Sequence, residues 1–126
     1  MKGSGYFDIS AFLRRLKDRP DLHRAGMVLV HNGVVRGTSR DGTPVSAVEI
    51  RVDRARLAEI LAETRALPGI VAAEAEIREG TLRVGEDVML LGVAGDVRER
   101  VIAALARALD RIKAEVTRKR EIPAGE

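Results

Sequence analysis

The chain has 126 residues, 22 Lys and Arg against 19 Asp and Glu, a net charge of +3 and no cysteine. Disulfide frameworks, thiol nucleophiles and zinc–thiolate centres are therefore excluded, and two separated histidines, His23 and His31, make a poor metal site. Hydrophobic residues reach 45% but only Tyr6, Phe7 and Phe12 are aromatic, so the core is aliphatic and base stacking on aromatic platforms is nearly ruled out.

A chain of this length is expected to form one domain over residues 1–126, with 1–6 and 122–126 as loose ends. No apolar run approaches the ~20 residues of a bilayer span. The opening Met1-Lys2-Gly3-Ser4-Gly5 lacks the apolar segment of a signal peptide, which makes the cytoplasm the expected compartment.

Ile9, Phe12, Leu13 and Leu16 fall at helical spacing after Asp8 or Ser10 as a cap, and Pro20 ends the pattern. Met27-Val28-Leu29-Val30 then reads as a buried strand, interrupted by His31, Asn32 and Gly33 and resumed by Val34-Val35. Arg36 follows at the mouth of a glycine-flanked basic loop, Gly37-Thr38-Ser39-Arg40-Asp41-Gly42. Guanidinium groups and backbone N–H groups together can hold an anion, which makes Arg36 and Arg40 candidate anion ligands. His31 reads as a core or interface histidine.

Val48, Ile50 and Val52 alternate with Glu49 and Arg51, which predicts a strand with one wet side. Asp53 caps a helix lined by Leu57, Ile60, Leu61, Thr64 and Leu67, stopped at Pro68-Gly69. A strand is predicted over 70–78, turns at Glu79-Gly80 and Val84–Asp87, and a doubly covered central strand over Val88–Val93. Asp96-Val97-Arg98-Glu99 reads as a capping box opening the longest helix, with Val97, Val101, Leu105, Ala108, Leu109, Ile112 and Val116 as its buried stripe. The cations Arg111, Lys113, Arg118, Lys119 and Arg120 crowd its far end, where the macrodipole favours them. Four strands and these helices predict an α+β sandwich with a mixed or antiparallel sheet covered by helices.

Three stretches of this chain, G-M-V-L-V-H-N-G-V-V-R at 26–36, R-E-G-T-L-R-V-G-E-D-V at 78–88 and I-K-A-E-V-T-R-K-R-E at 112–121, resemble the large subunit of molybdopterin synthase, the MoaE family. The family's corresponding patterns are a GA-x-V-x-F-x-G-x-V-R strand, an I-G-x-L-x-x-G-(D/E) hairpin and an LK…WK-(R/K)-E tail. The resemblance covers roughly residues 7 to 121. It implies an α/β hammerhead-type fold and a homodimer flanked by small ubiquitin-like sulfur-carrier subunits ending in Gly-Gly. The implied reaction moves sulfur from the carrier's thiocarboxylate to cyclic pyranopterin monophosphate, with no metal and no cofactor.

By position, the resemblance implies that Lys113 and Lys119 are the catalytic lysines, with a one-residue gap between them, and that Arg36 and Arg98 bind substrate anion. Fixed cations of this kind hold a phosphate and offset charge developing at a carboxyl carbon. The chain has Val97 where the family has the His of a His-Arg pair, Ile77-Arg78 for a second such pair, Arg83 for a hairpin aromatic and Arg118 for the tail tryptophan. The stretch before the first long helix is shortened to Ile50–Asp53. A non-catalytic dimeric relative acting as a binding or scaffold module is therefore the second reading, and a nucleic-acid-binding domain the third, opposed by the scarcity of aromatics.

Overall fold

The structure, a computed structural model, describes residues 5–125. Three helices and six strands follow in order: α1 (Ile9–Lys17), β1 (Met27–Val34), β2 (Val45–Val52), α2 (Arg54–Arg65), β3 (Ile70–Ile77), β4 (Gly80–Arg83), β5 (Asp87–Gly95), α3 (Arg98–Glu115) and β6 (Thr117–Pro123), with a single 3-10 turn at Leu22–Arg24. The strands form two antiparallel sheets, β1-β5-β3 and β4-β2-β6. The α+β architecture expected from the sequence is present, but its sheet is two sheets. The cap residues hold: the Asp8 carboxylate accepts from the Ala11 N–H, and that of Asp53 from the Arg56 N–H.

The uninterrupted apolar run of β5 is explained by its central place, with β1 on one side and β3 on the other. Its side chains alternate between two clusters. Met89, Leu91 and Val93 join the main core with α2, α3 and the inner face of the second sheet, while Leu90 and Ala94 pack with Phe12 and Leu16 of α1. Gly92 lies under α1, where the Leu16 and Phe12 side chains occupy the space a Cβ would need. Arg15 on the outer side of α1 reaches Glu74 and Glu76 of β3, so the polar face of that strand is paired with the helix.

Four expectations are corrected. Gly80–Arg83, lying between the two expected turns and not predicted as a strand, is strand β4, with Leu82 buried against β2. The charged tail after Glu115 is not a helix end but strand β6, paired with β2 from Thr117↔Val52 to Pro123↔Val45. Asp96 does not form the expected capping box: its carboxylate accepts from the adjacent Val97 N–H at 2.7 Å and pairs with Arg100 at 2.9 Å. Val97 is the cap residue itself, half exposed, and not part of the buried stripe. Of the ends expected to be loose, residues 1–4 and 126 lie outside the described residues. The Gly5 carbonyl accepts from the Asp87 N–H, and Ile122 and Pro123 belong to β6.

Candidate functional site

The path of the chain decides which of the candidate cations can meet. β1 begins beside the end of β5, where the Gly26 N–H donates to the Gly95 carbonyl, and α3 starts three residues later at Arg98. Helix α3 packs on β5 and β1, and by its last turn Lys113 is near enough to His31 for its charge to act on the imidazole. Helix α3 and β1 thus run side by side in the same direction, with the last turn of α3 beside the middle of the strand. Arg98 stands at the other end of α3, about 22 Å from Lys113 along the axis at 1.5 Å per residue. Within one chain, Arg98 lies a helix length away from Lys113.

The loop after Arg36 is held, not slack. Thr38 and Pro44 form an isolated bridge, the Ser39 N–H donates to the Thr43 carbonyl at 2.9 Å, and the Gly42 N–H donates to the Ser39 carbonyl at 3.0 Å. The Asp41 carboxylate accepts from the Ser39 hydroxyl and, at 3.0 Å, from the Thr43 N–H. These donors favour the charged form and hold the Asp41 carboxyl down at about 2. Arg36 donates from Nε to the Thr38 carbonyl at 2.8 Å, so its guanidinium is oriented by the loop it introduces.

This hairpin forms one wall of an open pocket of about 560 Å³, and β6 forms another. Ser39, Arg40, Asp41 and Thr43 line it from the loop; Lys119 and Glu121 line it from the strand. Lys119 pairs across from Ile50, a buried residue of β2, which puts it on the core-facing side of its sheet. Its ammonium is 3.9 Å from the Glu121 carboxylate, both partly exposed. The structure therefore brings Arg40 and Lys119 together in one pocket. On the opposite face, Arg120 is occupied by Glu49 at 3.1 Å and draws that carboxyl below its usual range.

His31 is the residue that reasoning from sequence set aside. It follows Met27 and Leu29 at a period of two, and both of those pack on the main core, so its ring lies on the α3 side of the sheet. Burial lowers its pKa first and the Lys113 charge second. The alternation of Met27, Leu29 and His31 was a signal for that placement; the approach of a helix encoded eighty residues later was not readable from it. Arg98 is strongly exposed, and its guanidinium lies 3.8 Å from the adjacent Glu99 carboxylate. Among the described residues no three His, Asp or Glu side chains are grouped to hold a metal ion.

The fold is an α+β domain of two antiparallel sheets, with an open pocket between the 37–44 hairpin and β6 that Arg40 and Lys119 line together. Its family is given by comparison with known proteins. Residues 4–115 match the family model described as MoaE protein, and the chain belongs to that family. Membership places it in molybdenum cofactor biosynthesis. No curated protein sequence matches the chain.

Solved structures share the fold. Molybdopterin synthase from Staphylococcus aureus superposes with a TM-score of 0.78 at 24% identity, over 100% of this chain and 95% of that one. The molybdopterin biosynthesis MoaE protein from Burkholderia ambifaria gives 0.73 at 22% identity, over 95% and 85%. A protein–protein complex of subunits 1 and 2 of molybdopterin-converting factor from Helicobacter pylori gives 0.68 at 16% identity, over 95% and 86%. The family match ends at Glu115, so Lys113 lies inside it and Lys119 beyond it.

Proposed function

We propose that this chain is the sulfur-transferring subunit of a molybdopterin synthase, which acts as a homodimer in the cytoplasm with a small Gly-Gly-tailed sulfur carrier. The observation that carries the reading is the match of residues 4–115 to the MoaE protein family, and it is supported by the pocket in which the 37–44 hairpin and β6 bring Arg40 and Lys119 together. The two anionic reactants, a pterin phosphate and a thiocarboxylate, match that charge. Arg36 and Arg40 would hold phosphate through guanidinium donors, Lys119 would face the same pocket, and Lys113 would offset the charge that develops on the carrier's carboxyl group.

Two further observations support the partners. The Helicobacter pylori relative in fold was solved as a complex of the two subunits of molybdopterin-converting factor, which fits a small carrier as partner. Arg98 lies a helix length away from Lys113, so an Arg98 that joins the site comes from a second copy of the chain, as a two-fold dimer supplies. Such an interface should bury on the order of 1,600 Å² or more. No helix among the described residues is long and apolar enough to cross a membrane.

The test is a sulfur-transfer assay with thiocarboxylated carrier and cyclic pyranopterin monophosphate, with formation of the dithiolene product followed. Product from the parent protein, and none with a carrier lacking its terminal Gly-Gly, is the expected result. A parent that binds the carrier but yields no product would leave the scaffold reading in its place.

A further inference from the structure

Ile50 and Val52 of β2 turn toward the main core, so Arg51 between them points to the outer face of the second sheet. Arg118 of β6 stands directly opposite Arg51 in the ladder, on the same face, and both are exposed. Directly opposed residues have Cβ atoms about 4.5–5.5 Å apart, and like charges placed so destabilise a sheet. Neither guanidinium has a carboxylate within ion-pair distance among the described residues. Glu49, the next outward residue of β2, is held by Arg120 at 3.1 Å.

The two arginines line a second cavity, of about 380 Å³, where α3 gives way to β6. Three acids line it with them, and each is engaged elsewhere. The Asp53 carboxylate accepts from the Arg56 N–H at 3.0 Å, Glu79 accepts from the Val52 N–H at 2.9 Å, and Glu115 accepts from Arg56 Nε at 2.8 Å. The cavity therefore presents two uncompensated guanidinium groups beside carboxylates already committed.

We propose that Arg51 and Arg118 form a binding site for a small phosphate monoester. The cavity has the size of a small-molecule site. One guanidinium fork satisfies the two oxygens of a carboxylate, whereas the three terminal oxygens of a phosphate monoester can bridge two forks. Its two negative charges also relieve the opposed like charges of the apo sheet. Asp53, Glu79 and Glu115 repel an extended polyanion, which favours a compact ligand over a nucleic-acid strand. The site is separate from the pocket of Arg40 and Lys119, because Lys119 follows Arg118 on β6 and lies on the opposite face of the sheet. It stands whether or not the chain transfers sulfur.

The experiment is an NMR titration of the full chain with methyl phosphate, at an ionic strength held constant with sodium chloride. The side-chain Nε–H resonances of Arg51 and Arg118 should shift together and saturate, with a Kd on the order of 1 mM, the affinity that a few charge-assisted contacts support. Arg51→Gln and Arg118→Gln, each folded by its amide spectrum, should abolish saturation at the arginine that remains. The Arg40 amide reports any binding in the other pocket. Shifts that stay linear in methyl phosphate, that saturate equally in Arg118→Gln, or that are confined to Arg40 overturn the proposal. A DNA oligonucleotide that displaces methyl phosphate from the pair at lower concentration overturns it in favour of a nucleic-acid contact.

Discussion

Substitution of Gly92 by alanine tests how α1 is fastened to the sheet. The added methyl would lie 2.8 Å from Phe12 Cε2 and closer still to Leu16 Cδ1, whereas carbon atoms pack at about 3.5–4.0 Å. Phe12 and Leu16 are both fully buried, enclosed with Ala72, Leu90 and Ala94, so neither has an empty rotamer to move into. Overpacking of this kind costs about 1–3 kcal/mol. At about 2 kcal/mol a domain of this size loses roughly 8 °C in Tm. Leu16→Ala, which opens a cavity at the same spot, should cost about 2–5 kcal/mol. The double variant should be more stable than the sum of its parts, because the new methyl fills part of the new cavity. Urea unfolding of the four proteins measures the coupling. A Gly92→Ala protein as stable as the parent, or strictly additive single effects, would refute the packing of α1 over β5.

Lys113→Ala should lower sulfur transfer by about a hundredfold, the equivalent of ~3 kcal/mol of transition-state stabilisation. Lys113→Arg should fail to rescue it, since guanidinium keeps the charge but not the dissociable proton; rescue would make the role purely electrostatic. The Asp41 carboxylate is held at about 2, below its unfolded value, so its contribution to the 37–44 hairpin is complete at neutral pH and is lost as pH falls toward about 2. The Thr43 amide resonance should report that loss, and Asp41→Asn should show the loosened hairpin already at pH 7. Glu115 pairs with Arg56 of α2 and, at 3.5 Å, with Arg111 of its own helix. Glu115→Gln should lower Tm by an amount that shrinks in 1 M salt, and a salt-independent loss would point to packing instead.

The elements that announced themselves in the sequence were those whose own residues carry the pattern. The apolar run of β5, the alternation of β2 and the caps at Asp8 and Asp53 fix local structure from within a few residues. Strands β4 and β6 did not, for a physical reason. Gly80–Arg83 has one apolar anchor, and Thr117–Pro123 presents mostly charge; both are strands because β2 offers a free edge on each side to pair with. The cations after Glu115 therefore looked like a solvated helix end.

The candidate site was legible to a similar degree. Arg36 and Arg40 were marked by the loop, and Lys113 by the resemblance. The placement of Lys119 beside the loop depends on β6, which could not be read locally. The Asp96 capping box failed because the carboxylate turns to its nearest N–H and to Arg100.

The central claim, a site built from Lys113 of one copy and Arg98 of another, is tested most directly by mixing two impaired proteins. Arg98→Ala and Lys113→Ala each spoil both sites of their own dimer. Subunit exchange between them makes hybrids that carry one intact site and one doubly altered site. Equal amounts, fully exchanged, should regain about a quarter of the parent's sulfur-transfer rate, since half of the dimers are hybrids with half of their sites intact. A mixture no more active than its two components, with exchange verified, would contradict a site shared between two chains.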